Sequence, residues 1–242
     1  MQKIALLIAL LLFILTGGWL CGTRTDSLKE NYISYEADLK KQTVKLYWKD
    51  EKDQPFRSIG RLRSWVEIRG QKLVFAMNAG MYKPGNTPLG LFIQEYRQLV
   101  PLDASFGSGN FYLKPNGVFY TTRDKKAFIQ TTENFRSSTD IQFATQSGPM
   151  LLINGKIHPS FKRGSKNLNI RNGVGMLPGG KVIFAMSVEE VNFYDFAKYF
   201  MDLGCIDALY LDGLVSRTYL PERQWMQTDG DFGAIIGVTD SK

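Results

Sequence analysis

Acidic residues and one arginine lie beside predicted turns, where side chains of these types can do chemistry. Asp212 ends an apolar strand and precedes Gly213, and Glu189 follows another apolar strand. A carboxylate at the end of a buried strand is costly unless it is paired or used. Such groups can activate water or stabilise a developing cation, and Arg171 can hold an anion through its planar fork of N–H groups. Two alternatives stay open: Asp212 as a turn residue that bonds its own backbone, and Glu189 as a solvated charge or a partner of Arg171.

The sequence lacks the standard motifs of several other kinds of catalysis. It contains no phosphate-binding P-loop, no dinucleotide-binding glycine pattern after a strand and no G-x-S-x-G nucleophile elbow. His158 is the single histidine, and its place after a predicted hairpin favours a surface or hydrogen-bonded loop residue over a member of a catalytic triad. Two cysteines and one histidine nearly exclude a zinc site. We therefore predict no cofactor and no metal site, while a divalent ion held by carboxylates alone remains open.

These side chains need a scaffold, and the hydrophobic pattern predicts one made mainly of short strands. An Asn154-Gly155 pair predicts a tight hairpin, because both residues tolerate positive φ. One helix is predicted after an Asn192 cap, with an apolar face at i, i+3, i+4 and i+7 and Gly204 at its end. Residues 23–41 are interpreted as a polar lead-in. The predicted strands are 44–49, 73–77, 89–93, a hairpin of 111–113 with 118–120, 150–153, 181–186, 208–211 and 233–238. The predicted fold class is α+β, a single domain with a mixed β-sheet core and few helices.

The N-terminal residues have the pattern of an export segment. Lys3 precedes an apolar run over residues 4–15, and small residues follow. Residues 1–22 are predicted to be a signal peptide or an N-terminal anchor, the anchor being an uncleaved span over residues 4–23. Each alternative places residues 23–242, predicted as one domain, outside the cytoplasm, either in the periplasm or secreted.

Composition and charge limit the classes of binding partner that we expect. The chain has 242 residues, 44% of them hydrophobic, and a formal net charge of +7. Basic residues are scattered and no nucleic-acid-binding motif accompanies them, so we expect no nucleic-acid partner. Membrane contact is expected only through the N-terminal segment if it stays uncleaved. Lipidation of Cys21 is disfavoured because Leu20 precedes it, and Cys205 is expected to be a buried, inert thiol.

Four segments occur in an order that resembles a known family. They are Asn78-Ala79-Gly80-Met81, Ser147-Gly148-Pro149, Arg171-Asn172-Gly173-Val174-Gly175 and Leu209-Tyr210-Leu211-Asp212-Gly213. In this order they resemble the phosphodiester glycosidase family, most closely its compact, exported bacterial members. The likeness covers roughly residues 70–238 and is most specific over residues 191–213.

The resemblance implies hydrolysis of a sugar-1-phosphodiester at its anomeric C–O bond, in envelope or extracellular glycans. It implies Asp212 and Glu189 as the catalytic carboxylates, with the role of Asp212 as nucleophile, base or orienting group left open. The candidate residues for binding substrate or phosphate are Arg171, Asn78, Gly80, Gly148, Ser216 and His158. A glycine-rich stretch ending in serine, common after the aspartate in the family, is replaced by residues 214–217, which leaves the sugar and the alcohol group open.

Two other functions are compatible with the same residues. The chain can be a non-catalytic envelope module that binds glycans. It can also be a glycosidase or transferase in exopolysaccharide metabolism that acts on substrates without phosphate. Measured turnover would exclude the binding module. A small effect of Arg171→Ala on activity would favour the glycosidase or transferase.

Overall fold

Short strands joined by turns make up most of residues 31–241, the part of the chain that the computed structural model describes. The predicted signal or anchor, residues 1–22, and Cys21 lie outside this part. The described elements, in chain order, are β1 (Tyr32–Ala37), β2 (Val44–Tyr47), α1 (Ile59–Ile68), β3 (Gln71–Asn78), β4 (Tyr82–Lys83), β5 (Thr87–Pro88), β6 (Phe92–Gln94), β7 (Arg97–Val100), β8 (Gly117–Thr122), β9 (Ala127–Thr131), β10 (Ile141–Ser147), β11 (Met150–Ile153), β12 (Lys156–Ile157), β13 (Asn172–Met176), β14 (Val182–Ser187), α2 (Phe193–Asp202), β15 (Ala208–Tyr210), β16 (Thr218–Leu220), β17 (Trp225–Met226) and β18 (Ile235–Ser241).

The strands form three main sheets. One has six strands in the order β1-β14-β13-β15-β11-β12, a second has the order β7-β6-β10-β8-β9, and a third has the order β17-β16-β3-β18-β2. Strands β4 and β5 make a separate two-stranded ribbon.

Every strand pair within residues 31–241 is antiparallel. The single domain with few helices agrees with the prediction, but the mixed sheet is wrong. The reason lies in α2, which joins β14 to β15. These two strands run in the same direction, but β13 lies between them and pairs with both, so they share no ladder of hydrogen bonds.

The three sheets meet in one aromatic core. Phe75 of β3 stacks against Phe184 of β14 with ring centroids 5.4 Å apart, and Phe119 of β8 contacts Phe184 edge-on at 5.7 Å. Each of these rings is almost completely buried, and burial of such a side chain stabilises the fold by roughly 1.5–3 kcal/mol. Because the rings come from three different sheets, this contact fixes the sheets relative to one another.

Helix α2 and the Asn-Gly hairpin form as predicted, because their signals are local. The Asn192 side chain accepts a hydrogen bond from the Asp195 backbone N–H at 2.9 Å, and Gly204 ends the helix at φ +81°. Asn154 and Gly155 both have positive φ and join β11 to β12. Cys205, beyond the helix, is buried and unpaired in the described residues, and burial raises its pKa to about 12.

Two predictions about the scaffold need correction, and one helix was missed. The lead-in over residues 23–41 contains β1, which pairs along its full length with β14. The helix α1 was not predicted. The hairpin of residues 111–113 with 118–120 does not form, since the Asn116 side chain donates to the Phe111 carbonyl at 2.9 Å and ties the segment into a turn. Strand β8 pairs with β9 and β10 instead.

Among the described helices, none combines the length and apolar character that a bilayer crossing requires.

Candidate active site

Asp212 lies just beyond β15, where the ends of strands from all three main sheets meet. Its backbone is held on both sides. The Asp212 N–H donates to Oδ1 of Asn172 at 2.8 Å, and the Ser216 hydroxyl donates to the Asp212 carbonyl at 2.8 Å. The Ser147 hydroxyl, at the end of β10, donates to the Leu211 carbonyl at 2.6 Å. The sequence prediction that Asp212 follows a buried strand is therefore correct, and its neighbours come from distant parts of the chain.

Asn172 connects Asp212 to Asn78 at the end of β3. Its Nδ2 group donates to both the backbone carbonyl and Oδ1 of Asn78, each at 2.9 Å. Oδ1 of Asn78 also accepts from the Arg217 backbone N–H at 2.9 Å. These two donors fix which end of the Asn78 amide is oxygen. The buried Nδ2 of Asn78 has no partner in residues 31–241, so it remains a free donor next to the Asp212 backbone support.

The Asp212 carboxyl group is buried, with 8% of the residue exposed. Burial raises its pKa, and the backbone N–H groups of Leu214 and Gly213 oppose that shift only in part. No lysine or arginine of residues 31–241 forms an ion pair with it. A carboxylate in this setting is a stronger base than an exposed one, because desolvation favours its protonated form.

A cleft of about 490 Å³ opens above Asp212. Its walls are mostly aromatic and aliphatic, and they include the side chains of Tyr82, Tyr112 and Tyr210. Asp212 is the only charged residue that lines it within the described chain. Aromatic walls with few polar groups suit a ligand that presents both apolar faces and hydroxyls.

Arg171 lies behind this cleft and does not line it. The guanidinium is fully buried and stacks 3.6 Å from the centre of the Phe193 ring. Nε donates to the Val191 carbonyl and Nη2 to the Asn167 carbonyl, each at 2.8 Å. Nη1 donates to the Tyr210 hydroxyl at 3.3 Å. Burial lowers the pKa of Arg171, while Tyr210 opposes this change. All these partners are neutral, so the arginine acts on the cleft through Tyr210.

Tyr210 and Gly213 fit together directly beneath the cleft. A Cβ atom at Gly213 would collide with the Tyr210 hydroxyl, so only glycine leaves room for this tyrosine. The hydroxyl accepts from Arg171, and within residues 31–241 no protein acceptor takes its own proton. Burial raises the pKa of Tyr210, with Arg171 lowering it and Asp212 raising it further. The phenol is therefore a neutral donor beside Asp212.

The remaining predicted site residues are dispersed. Glu189 is exposed and lies outside the cleft lining, and it makes no ion pair with Arg171. Gly80 packs against the Gln146 backbone, where a Cβ would lie 2.6 Å from the carbonyl oxygen. Gly148 packs in the same way against Asn116. Neither glycine lines the cleft. Both permit the close packing of backbone segments around it.

His158 is a buried, hydrogen-bonded loop residue. Its Nε2 atom lies 3.1 Å from the Lys114 carbonyl, and Nδ1 accepts from the Ser160 N–H at 3.2 Å. These partners assign the proton to Nε2. Burial lowers the pKa of the ring, and the Lys114 carbonyl opposes this shift. The ring stacks on Phe161, which stacks on Phe193 below Arg171, so His158 supports the site from a distance.

Sequence reasoning missed several residues that shape the cleft. The position of Asn172 beside Arg171 in one of the four family segments was a signal that could have identified it. The sequence around Tyr82 and Tyr112 contains no comparable signal. Gln146 is a second buried amide: its Oε1 accepts from the Leu91 and Asp103 N–H groups, both at 2.9 Å. It thereby anchors the segment that leads to the cleft wall. Within residues 31–241, no group of three or more His, Cys, Asp or Glu side chains is placed to hold a metal ion.

Comparison with known proteins agrees with the resemblance found in the sequence. The family model for phosphodiester glycosidase matches residues 71–235. The uncharacterized protein YigE of Escherichia coli is 38% identical over 188 residues, which cover 77% of this chain and 73% of that protein.

Two solved structures share the fold. The catalytic domain of zebrafish N-acetylglucosamine-1-phosphodiester alpha-N-acetylglucosaminidase, auto-inhibited by its pro-peptide, aligns with a TM-score of 0.53 and 14% identity over 86% of this chain and 88% of that one. A putative exported protein from Burkholderia pseudomallei aligns with a TM-score of 0.57 and 8% identity over 86% and 73%. By the match of its sequence over residues 71–235, the chain belongs to the phosphodiester glycosidase family.

Proposed function

We propose that this protein hydrolyses the anomeric C–O bond of a sugar-1-phosphodiester, releasing the sugar and a phosphomonoester. The observation that carries the proposal is that Asp212 is the single carboxylate in the cleft lining among residues 31–241. Ordinary glycosidases use a pair of carboxyl groups, one of which protonates the leaving oxygen. A phosphomonoester leaves as an anion and needs no such proton. A cleft with one carboxylate therefore suits a phosphodiester better than a simple glycoside.

In the proposed reaction Asp212 accepts a proton from the attacking water. The C–O bond breaks, its electron pair stays on the phosphate oxygen, and the water oxygen becomes the anomeric hydroxyl of the sugar. Burial favours this role because it raises the pKa of Asp212. A hydrogen-bond donor for the departing oxygens is available from the hydroxyl of Tyr210, which lines the cleft. Arg171 contributes indirectly, by holding and polarising Tyr210.

A second candidate function has its own support. No lysine or arginine of the described chain lines the cleft, and a phosphate is usually met by such groups. A glycosidase or transferase acting on a glycan without phosphate would need no cation there. The exported location predicted from residues 1–22 belongs to both candidates and is part of the proposal; cell fractionation tests it.

Product analysis in ¹⁸O-labelled water tests the proposal. The substrates are the methyl and phenyl phosphodiesters of N-acetylglucosamine-1-phosphate, chosen because the zebrafish enzyme's name specifies this class. We expect the label in the sugar. Label in the phosphate would mean P–O cleavage and would overturn the mechanism. Turnover of aryl glycosides alone would favour the second candidate, and binding of the diesters without turnover would indicate a glycan-binding module.

A matched pair of variants assigns the carboxylate. Asp212→Asn keeps the side-chain shape and removes the base, so we expect turnover to be lost. Asp53→Asn changes an exposed carboxylate outside the cleft and is expected to keep full turnover. Full activity of Asp212→Asn would show that another group activates water.

A further inference from the structure

The two most exposed large apolar side chains of the described chain belong to segments that line the same cleft. Leu214 is 89% exposed and lines the cleft, and Phe106 is 87% exposed. The segment that carries Phe106 continues into the cleft wall at residues 108–112. Single exposed apolar residues are ordinary on protein surfaces, but apolar side chains grouped at the mouth of a site indicate a contact surface.

Two lysines lie close to this mouth. The Lys114 Nζ lies 4.0 Å from the centre of the Phe106 ring and donates to the Ala104 carbonyl at 2.7 Å. Lys83 is exposed and directly follows Tyr82, which lines the cleft. Neither lysine takes part in an ion pair within residues 31–241. The two lysines therefore contribute positive charge to the mouth.

Asp103 is the acidic group that offsets part of this charge, because its lowered pKa keeps it ionised. Asp103 is engaged by the Ser105 hydroxyl and by the Tyr112 hydroxyl. The pKa of Asp103 is lowered mainly by Ser105, and Lys83 contributes to the same direction. Asp212 lies at the base of the cleft and is buried. The two lysines outnumber Asp103 by one. Exposed apolar side chains beside lysines that form no ion pair are the combination that binds the interface of an anionic bilayer, where the apolar groups enter the headgroup region and the amines meet lipid phosphates.

We propose that the rim formed by Phe106, Leu214, Lys83 and Lys114 docks on the surface of an anionic lipid bilayer, so that the cleft opens onto the lipid headgroups. This contact is additional to any anchoring by the N-terminal segment. Resting on the proposed function, it also names the substrate class: a sugar-1-phosphodiester whose alcohol group belongs to a lipid of that bilayer.

Tryptophan depth measurements on the full chain test the docking. Phe106→Trp and Leu214→Trp each add one indole to the rim. Ile68→Trp and Met226→Trp are matched controls, because these side chains are also apolar and exposed, at 83% and 61%, but lie outside the cleft lining. Each variant is mixed with vesicles of phosphatidylcholine and phosphatidylglycerol that carry brominated acyl chains. We expect the added emission of the rim variants to be quenched several-fold more than that of the controls.

The controls also separate docking from tethering. An uncleaved N-terminal anchor brings all four variants to the vesicle, but only a docked rim places two of them among the acyl chains. Equal quenching of both pairs, or no quenching of either, overturns the proposal. The second of these results is the one expected if the rim binds another protein.

A charge test completes the experiment. Lys83→Gln combined with Lys114→Gln should reduce quenching of the rim indoles on anionic vesicles. Lys40→Gln combined with Lys52→Gln, two exposed lysines elsewhere, should leave it unchanged. An equal effect of both pairs would refute a role for the rim lysines. Turnover of the soluble methyl diester without vesicles is measured separately, so failure of the proposed function and failure of docking give different results.

Discussion

The amide chain is the set of hydrogen bonds by which the Asn172 side chain connects Asn78 to the Asp212 backbone. Replacing Asn172 with alanine tests how much this chain stabilises the folded protein. The change removes three hydrogen bonds of 2.8–2.9 Å, two to Asn78 and one to Asp212. Oδ1 of Asn78 keeps the Arg217 N–H, so two buried groups lose this partner: the Asp212 N–H and the Asn78 backbone carbonyl. Each buried orphan costs roughly 1–3 kcal/mol, so the expected loss of unfolding free energy is about 4 kcal/mol, within a range of roughly 2–6 kcal/mol.

Urea denaturation at neutral pH measures this loss, and thermal unfolding checks it. In a chain of this size each kcal/mol lowers Tm by about 2–4 °C, so a decrease of roughly 8–16 °C is expected. Asn192→Ala is the control, since it removes the cap bond from the Asp195 N–H and one bond to the Asp195 carboxylate at the start of α2, and should cost about 1 kcal/mol. If Asn172→Ala costs no more than this control, the amide chain does not stabilise the site.

A double-mutant cycle gives the sharper test. Asn78→Ala removes the Oδ1 acceptor of one of the three bonds and keeps the backbone carbonyl, so the two single losses should not add fully. We expect the double variant to be more stable than additivity predicts by about 1–3 kcal/mol, a coupling typical of directly bonded side chains. Additive losses would refute the direct coupling of the two amides.

Three further predictions follow from the site. Asp212→Asn should resist urea better than the wild type at neutral pH, because burial raises the carboxyl pKa in the folded state and so penalises its charged form. That advantage should shrink as pH falls through the raised folded-state pKa and vanish below about 3.9, the pKa of an unfolded aspartate; an advantage independent of pH would contradict the assignment. Gly213→Ala should be strongly destabilising in urea, and adding Tyr210→Phe should recover part of the loss, because the nearest remaining atom is the ring Cζ at 2.9 Å. Proton NMR of the single histidine should give His158 a pKa below about 6.5, with stability that is complete above this pH and decreases below it; a higher value would mean that the ring is not desolvated.

Elements with local signals were predictable from the sequence. Helix α2 carries its cap, its apolar face and its terminal glycine within thirteen residues, Asn192 to Gly204. Helix α1 also has a readable signal that the prediction did not use: Ser58 caps it, and Ile59, Leu62 and Val66 form its buried face. Strand β1 carries a short alternating signal that the prediction did not use, with Ile33, Tyr35 and Ala37 buried on one face. The identity of its pairing partner had no local signal, because β14 lies about 150 residues further along the chain.

In the candidate site, too, residues placed by local sequence were predictable and residues placed by the packing of distant segments were not. The sequence placed Asp212 correctly because a strand and a turn define its position. Arg171 was predicted to bind phosphate, because an arginine beside a turn suggests an anion site. In the structure its guanidinium group is surrounded by carbonyl groups and the Phe193 ring. The aromatic cleft wall was not predictable, because Tyr82 and Tyr112 approach Tyr210 only after the three sheets have packed.

The amide chain beside Asp212 also affects the stage of folding at which the candidate active site forms. The bond from Asn172 to Asn78 joins positions 94 residues apart, and the bond from Arg217 to Asn78 joins positions 139 residues apart. Contacts across such long loops form late, after the entropy of closing those loops has been overcome. The carboxylate and its supports should therefore come together only in the last stage of folding. A nascent or partly folded chain would carry every residue of the site and still be inert.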